Sequence, residues 1–357
     1  MLIRILKLPR VVQNEIIKES ECRSMFFLSC CSQKMKELVR GASLKPLYIK
    51  YRLDPSPYVS VLVCFEQQEE MLAIALKKPQ LLTNGITMVK IADLQFQGRY
   101  QKTDDGALYL QYLEPNREDD SVLISLQDHV DALFPNVSRI SLTCMHPSVI
   151  PRSRQIRNVT DILLTSHPIT TDLSTDHIEH LLAIHRNTKS FYANGQISAV
   201  ELLDSSPFLH LDMFSCWAAG NVFFLVLRKF TGRWLHLIYC INNVDTCPLE
   251  ELLETWRTRR THENLRGVRL SLGHQVNVPE LIYRFNLQKW NPARRPRYYT
   301  NVPKINHVEY GDMFDKSGKM DTSEFYDIQQ IDTGKWASIH IAQSTNGTAA
   351  KFCVWDL

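Results

Sequence analysis

No stretch of the 357 residues approaches the run of about 18 apolar side chains that a membrane-spanning helix requires. The apolar residues at the N-terminus are too few for a secretory leader and are broken by Arg4 and Lys7. Glycine is scarce, at 13 residues, and no G-x-G-x-x-G spacing occurs, so no dinucleotide site is indicated. Thr333-Gly334-Lys335 is not a phosphate loop either, because Gln329 stands where the leading glycine would have to be. The 9 cysteines are odd in number and contain no C-x-x-C pair, which excludes a zinc ribbon and a disulfide framework. A reducing compartment, cytoplasmic or nuclear, is therefore expected, with most thiols buried. The sequons at Asn136, Asn158 and Asn346 then count as chance occurrences.

Neither sign of charge predominates. Lys and Arg number 41 against 38 Asp and Glu, and a net +3 does not by itself call for nucleic acid or an anionic membrane. Hydrophobic residues at 44% and charged residues at 22% describe an ordinary globular chain. Its length suggests a small module plus one large domain.

Residues 6–40 read as three short helices. Pro9 suits a first helical turn, where its missing N–H is no loss. Val12 and Ile16 share a face at i, i+4, and Ile17 broadens the stripe. Phe26, Phe27 and Leu28 form a second apolar block. Ser32 is placed to cap a third helix carrying Met35, Leu38 and Val39 inward, and Gly41 to end it. Some forty residues with this much apolar surface do not close a core alone. The module either caps the rest of the chain or offers a face to a partner.

The order Leu8-Pro9, Val12, Ile16-Ile17, then Phe27-Leu28-Ser29, Cys31-Ser32, Lys34, Lys36 and Leu38-Val39 resembles the F-box in its nematode form. The resemblance implies docking to the small Skp-type adaptor of an SCF ubiquitin ligase, and through it to a cullin. It places Leu8, Pro9, Val12, Ile16, Leu28, Cys31, Met35 and Leu38 at that contact, in the helix-in-groove manner.

Near residue 46 the texture turns from helical to β-rich, and the boundary between an adaptor module (1–46) and a large domain (47–357) is expected there. Leu47–Leu53 and Tyr58–Phe65 read as strands, with Met71–Leu76 hairpinned to the second. Beyond about residue 120, helix and strand alternate in irregular units. Ser125–Phe134 leads to Val137–Leu142, and Asp176–Arg186 to Ser190–Tyr192 and Ala199–Leu203. A helix over Leu211–Gly220 leads to a strand over Val222–Leu227, followed by a strand at Trp234–Ile241. Pro248–Arg259 leads to Val268–Leu272. The fold class expected is thus α+β or α/β: a three-helix module and a large α/β domain. That domain is either a curved, leucine-rich-repeat-like array with helices on one face or an α/β domain without repeats.

The end of the chain carries a second resemblance. Pro248-Leu-Glu-Glu-Leu-Leu-Glu-Thr-Trp256, Glu263–Leu270, Tyr326-Asp-Ile328, Gly334–Ile341 and Ala350–Trp355 are similar, in that order, to the nematode type-2 F-box-associated domain. Gln330 stands where that pattern has arginine, and Thr333 separates Asp332 from its glycine.

Other candidate sites are weaker. His177, His180 and His185 lie near one helix with Asp172 and Asp176, but without metalloenzyme spacing they read as a solvated face, and no metal or cofactor is expected. Nothing supports a catalytic Cys–His pair. Arg257–His262 follows a helix end, where positive charge complements the dipole. Trp290-Asn-Pro-Ala-Arg294-Arg295-Pro-Arg297-Tyr298-Tyr299 interleaves arginine with aromatics. Read with the resemblance, Arg294, Arg295, Arg297 and Tyr298 are candidates for binding a protein target, with RNA the lesser reading.

The function expected is that of a non-enzymatic substrate receptor. The alternatives are an F-box protein that neutralises a harmful or foreign protein by stoichiometric binding, and an RNA-binding protein.

Overall fold

A computed structural model describes residues 5–56, 58–65, 68–78, 86–102, 108–113, 120–165, 173–198, 203–217, 222–240, 247–258, 262–300 and 319–356. The chain forms two compact units, residues 1–163 and 164–357. Both mix helix and sheet, as expected of an α+β chain.

The first unit begins with α1 (Arg10–Lys18), α2 (Cys22–Cys31) and α3 (Gln33–Gly41). Pro9 occupies the N-cap of α1 with extended backbone angles. The Ser32 hydroxyl accepts from the Met35 amide at 3.2 Å, a cap that contributes about 1 kcal/mol. Gly41 falls inside the last turn, and the left-handed backbone follows at Ser43.

Strands β1 (Tyr48–Leu53), β2 (Tyr58–Phe65) and β3 (Gln68–Lys77) form an antiparallel meander, in which the β2–β3 hairpin is the expected one. Then come β4 (Thr87–Ile91), β5 (Leu94–Lys102), β6 (Leu108–Tyr112), α4 (Ser121–Leu133), β7 (Ile140–Cys144), the short α5 (Ile150–Ser153) and β8 (Val159–Thr165). The sheet runs β8-β7-β1-β2-β3-β6-β5-β4. Helix α2 packs on β3, and α3 touches α4, so the three helices share a core with the strands that follow them. The switch near residue 46 is where helix gives way to strand within this unit.

In the second unit a small parallel pair, β9 (Leu173–Ser174) and β11 (Ile197–Ser198), flanks α6 (Thr175–Ile184) and β10 (Ser190–Asn194). There follow β12 (Met213–Trp217), α7 (Val222–Lys229), β13 (Trp234–Cys240), α8 (Pro248–Arg257), β14 (Gly267–Leu272) and α9 (Val278–Phe285). The chain closes with β15 (Gln288–Lys289), the pair β16 (Tyr298–Tyr299) and β17 (Met320–Asp321), then β18 (Tyr326–Gln329), β19 (Trp336–Ser344) and β20 (Gly347–Val354). Strands β10, β12, β13 and β14 are parallel neighbours in chain order. The chain then returns antiparallel through β20, β19, β18 and β15. Gly334 makes the β18–β19 turn with φ +70°.

One stretch reverses the expectation. Residues 213–217 are strand where a helix was expected, and 222–229 are helix where a strand was expected. The β-branched and aromatic composition of Val222-Phe-Phe-Leu-Val-Leu227 suggests strand. Its buried positions, Val222, Phe223, Val226 and Leu227, nevertheless recur at helical spacing. The short run Met213–Trp217 is covered on both faces as an interior strand, which removes the alternation that would have marked it. Of the strand expected at 199–203, residues 199–202 lie outside the described residues.

Candidate functional site

Helix α1 divides its apolar residues between two directions. Ile17 and the Gln13 side chain are buried, and Gln13 donates to the Leu8 carbonyl at 2.8 Å, tying the chain entry to the first turn. Arg10 reaches the Glu37 carbonyl of α3 at 3.2 Å. Turned away from this packing are Leu6, Val11 and Val12, exposed by 48%, 74% and 44%. Pro9 is exposed beside them, and Leu8 and Ile16 are half-buried. Val11 and Leu6 were not singled out from the sequence. A valine immediately beside Val12 was the available signal.

Helix α2 faces inward with Cys22, Met25, Phe26 and Ser29. Leu28 is half-buried and Cys31 exposed. Phe27 meets Tyr100 of β5 edge-on, ring centroids 4.9 Å apart. Met35 and Leu38 of α3 correct the expected set: both are buried, Leu38 completely, and they belong to the unit's own core. Their spacing marks an inward face, but which body fills that face is a tertiary matter. The partly exposed members of the set are therefore Leu8, Pro9, Val12, Ile16, Leu28 and Cys31.

Two serine–histidine pairs look like nucleophile and base. Ser29 Oγ lies 2.7 Å from His129 Nε2, but the hydroxyl donates to the Phe26 carbonyl at 2.6 Å. The imidazole therefore donates to the serine and withdraws no proton from it, while its Nδ1 is buried without a partner. Ser215 and His236 Nδ1 are 3.1 Å apart, both buried, and His236 Nε2 also lacks a partner. Neither pair has the third group that orients a catalytic base. Among the described residues no three His, Cys, Asp or Glu side chains gather in a way that could hold a metal ion, and Asp172 lies outside them. No described helix is long and apolar enough to cross a membrane.

The arginine loop resolves into different roles. Arg295 is only 3% exposed. Its Nε donates to Asp327 Oδ1 at 2.7 Å, Nη1 to Thr322 Oγ1 at 2.6 Å and Nη2 to the Thr322 carbonyl at 3.0 Å. The guanidinium lies over the Trp355 ring, 4.9 Å from its centroid. Arg295 is thus a buried structural cation and does not join the surface expected of it. Arg297 and Tyr298 are exposed, and Arg297 pairs with Asp321 at 2.7 Å. Arg294, half-buried, bonds the Gln288 side chain and the Lys289 carbonyl and lies over Trp336, 5.3 Å from the ring centroid.

Burial holds His129, His185 and His262 down to about 4 and His236 to about 3. Each folded-state value lies below the unfolded value near 6.5, so the unfolded chain takes up protons first as pH falls. Stability present above pH 6.5 should therefore decline toward pH 4, by up to about 1.4 kcal/mol per pH unit for each imidazole. Urea unfolding between pH 7 and pH 5 checks this: the midpoint should fall steadily, and a flat profile would contradict it.

Comparison of the whole chain with family models, with curated proteins and with solved structures finds no match.

Proposed function

We propose that this chain is a non-enzymatic substrate receptor of the F-box kind, docking a Skp-type adaptor of a cullin ligase through α1 and holding a protein target elsewhere. The observation that carries the reading is the exposed apolar pair Val11 and Val12 on α1, whose other face is anchored by Ile17, together with Leu6, Leu8 and Pro9 in the turn that leads into it. Exposed apolar side chains gathered at the start of one short helix suit a partner's groove better than water. The F-box resemblance includes Leu8, Pro9 and Val12 of this group. In this role the chain forms and breaks no covalent bond, and it acts by raising the effective concentration of the target at the ligase.

The test is co-purification with a Skp-type adaptor. Val11→Asp with Val12→Asp alters only exposed positions and should leave the fold intact. Each lost anchor removes about 2 kcal/mol of binding if it lies at the centre of the contact, so recovery should fall by well over tenfold. Leu8→Ala with Pro9→Ala should act in the same direction. Unchanged recovery from the folded variants would remove the F-box reading. Target half-life with and without proteasome inhibition then separates delivery for degradation from sequestration.

A further inference from the structure

Residues Ile5–Lys7 form a single 3-10 turn, closed by the Leu8 amide donating to the Ile5 carbonyl at 3.1 Å. Helix α1 begins at Arg10, and the Gln13 amide donates to the Pro9 carbonyl at 3.0 Å. The Leu8 carbonyl falls between the turn and the helix, and among the described residues no backbone N–H reaches it. Pro9 has no N–H to offer, and no side chain caps the helix start. A half-buried carbonyl left this way needs another donor. The Gln13 side chain, 7% exposed, supplies it at 2.8 Å.

Gln13 is tied onward to α3. Its Oε1 lies 3.5 Å from Arg10 Nη1, and Arg10 Nη2 donates to the Glu37 carbonyl at 3.2 Å. Glu37 lies toward the C-terminal end of α3, where the helix dipole favours a cation. The guanidinium fits there because residue 41 is glycine: a Cβ at Gly41 would overlap Arg10 Nη2. Gly41 is inside α3 and outside the left-handed region, so its backbone does not itself call for glycine. Leu8, Gln13, Arg10 and Glu37 thus form one hydrogen-bonded chain from the entry turn through α1 to α3.

We infer that Gln13 and Arg10 are positioning residues for adaptor docking: they hold the Leu6–Pro9 turn and the first turn of α1 in one arrangement against α3, with Gly41 leaving room for the clamp. A loop fixed in its bound shape loses less freedom on association, so the clamp adds affinity without touching the partner. The inference rests on the receptor reading above. Binding of the full chain to a purified Skp-type adaptor is measured by titration, with urea unfolding of every variant alongside. Gln13→Leu, Arg10→Ala and Gly41→Ala should each weaken binding about fivefold. Gly41→Ala should do so with an unfolding midpoint unchanged or raised, because alanine is the better helix residue and only a flexible side-chain end has to move. Added to Arg10→Ala, it should cause no further loss, since both act through the same guanidinium. Should Gln13→Leu fail to fold, the Arg10 and Gly41 variants decide. Binding by Gly41→Ala as tight as by the intact chain would overturn the inference and leave the receptor reading standing. Losses that add in the double variant would also overturn it, since the new methyl would then be acting on the adaptor directly. No binding by the intact chain would remove the receptor reading, and this inference with it.

Discussion

Removal of residues 350–357 should abolish cooperative folding of the second unit. Strand β20 lies between β14 and β19 and pairs with both along most of its length. Its loss would leave two interior edges without backbone partners. Phe352, Cys353, Val354 and the following Trp355 are all buried. Phe352 packs on Trp256, and the Trp355 indole N–H donates to Ser338 Oγ at 2.7 Å while its ring supports Arg295. Burial of each large apolar side chain contributes about 1.5–3 kcal/mol. Losing three of them along with the strand consumes most of the ~5–15 kcal/mol by which a domain is stable. The expected result is an aggregating product without a cooperative thermal transition in this unit. A soluble truncation that melts cooperatively would show β20 to be dispensable.

The second large effect lies under Trp355. Arg295 and Asp327 form an ion pair at 2.7 Å with both side chains nearly inaccessible. Ser338 Oγ donates to the same Asp327 oxygen at 2.8 Å, and the other carboxylate oxygen is buried without a partner. Two desolvated charges hold each other here, so removing one strands the other. Asp327→Ala or Arg295→Met should each destabilise by about 3–5 kcal/mol. In a unit of this size that lowers Tm by roughly 6–20 °C. The double variant Arg295→Met with Asp327→Leu should recover much of the loss, because the cost lies in an unpaired charge. Thermal melts of the four proteins form a double-mutant cycle. Strictly additive losses would mean that the pair does not act as a unit. The same measurement distinguishes a structural Arg295 from a target-binding one, since a surface arginine would move Tm little.

What could be read without coordinates was local. Helices α1 to α3 follow from caps and spacing that act within one turn: Pro9, Ser32, and apolar residues three and four apart. The β2–β3 hairpin, the Gly334 turn and the closing strand were legible for the same reason, being set by alternation and turn chemistry between chain neighbours. The swapped pair at 213–229 was not, because short, largely apolar runs fit either period until their neighbours are known.

Within the candidate sites the division is sharper. Arg294, Arg295 and Arg297 are equivalent in sequence, yet one stacks on Trp336, one is buried against Asp327 and one pairs with Asp321 at the surface. Val12 and Leu38 are both apolar helix residues, but Leu38 is enclosed by its own unit while Val12 faces solvent. The cross-strand neighbours His236, Arg269, Lys351 and His340 come from strands up to 115 positions apart, from His236 to Lys351. Caps and periodicity are short-range and write themselves into neighbouring residues. Burial, charge pairing and cross-strand register depend on which distant segments meet, and only the tertiary structure decides that.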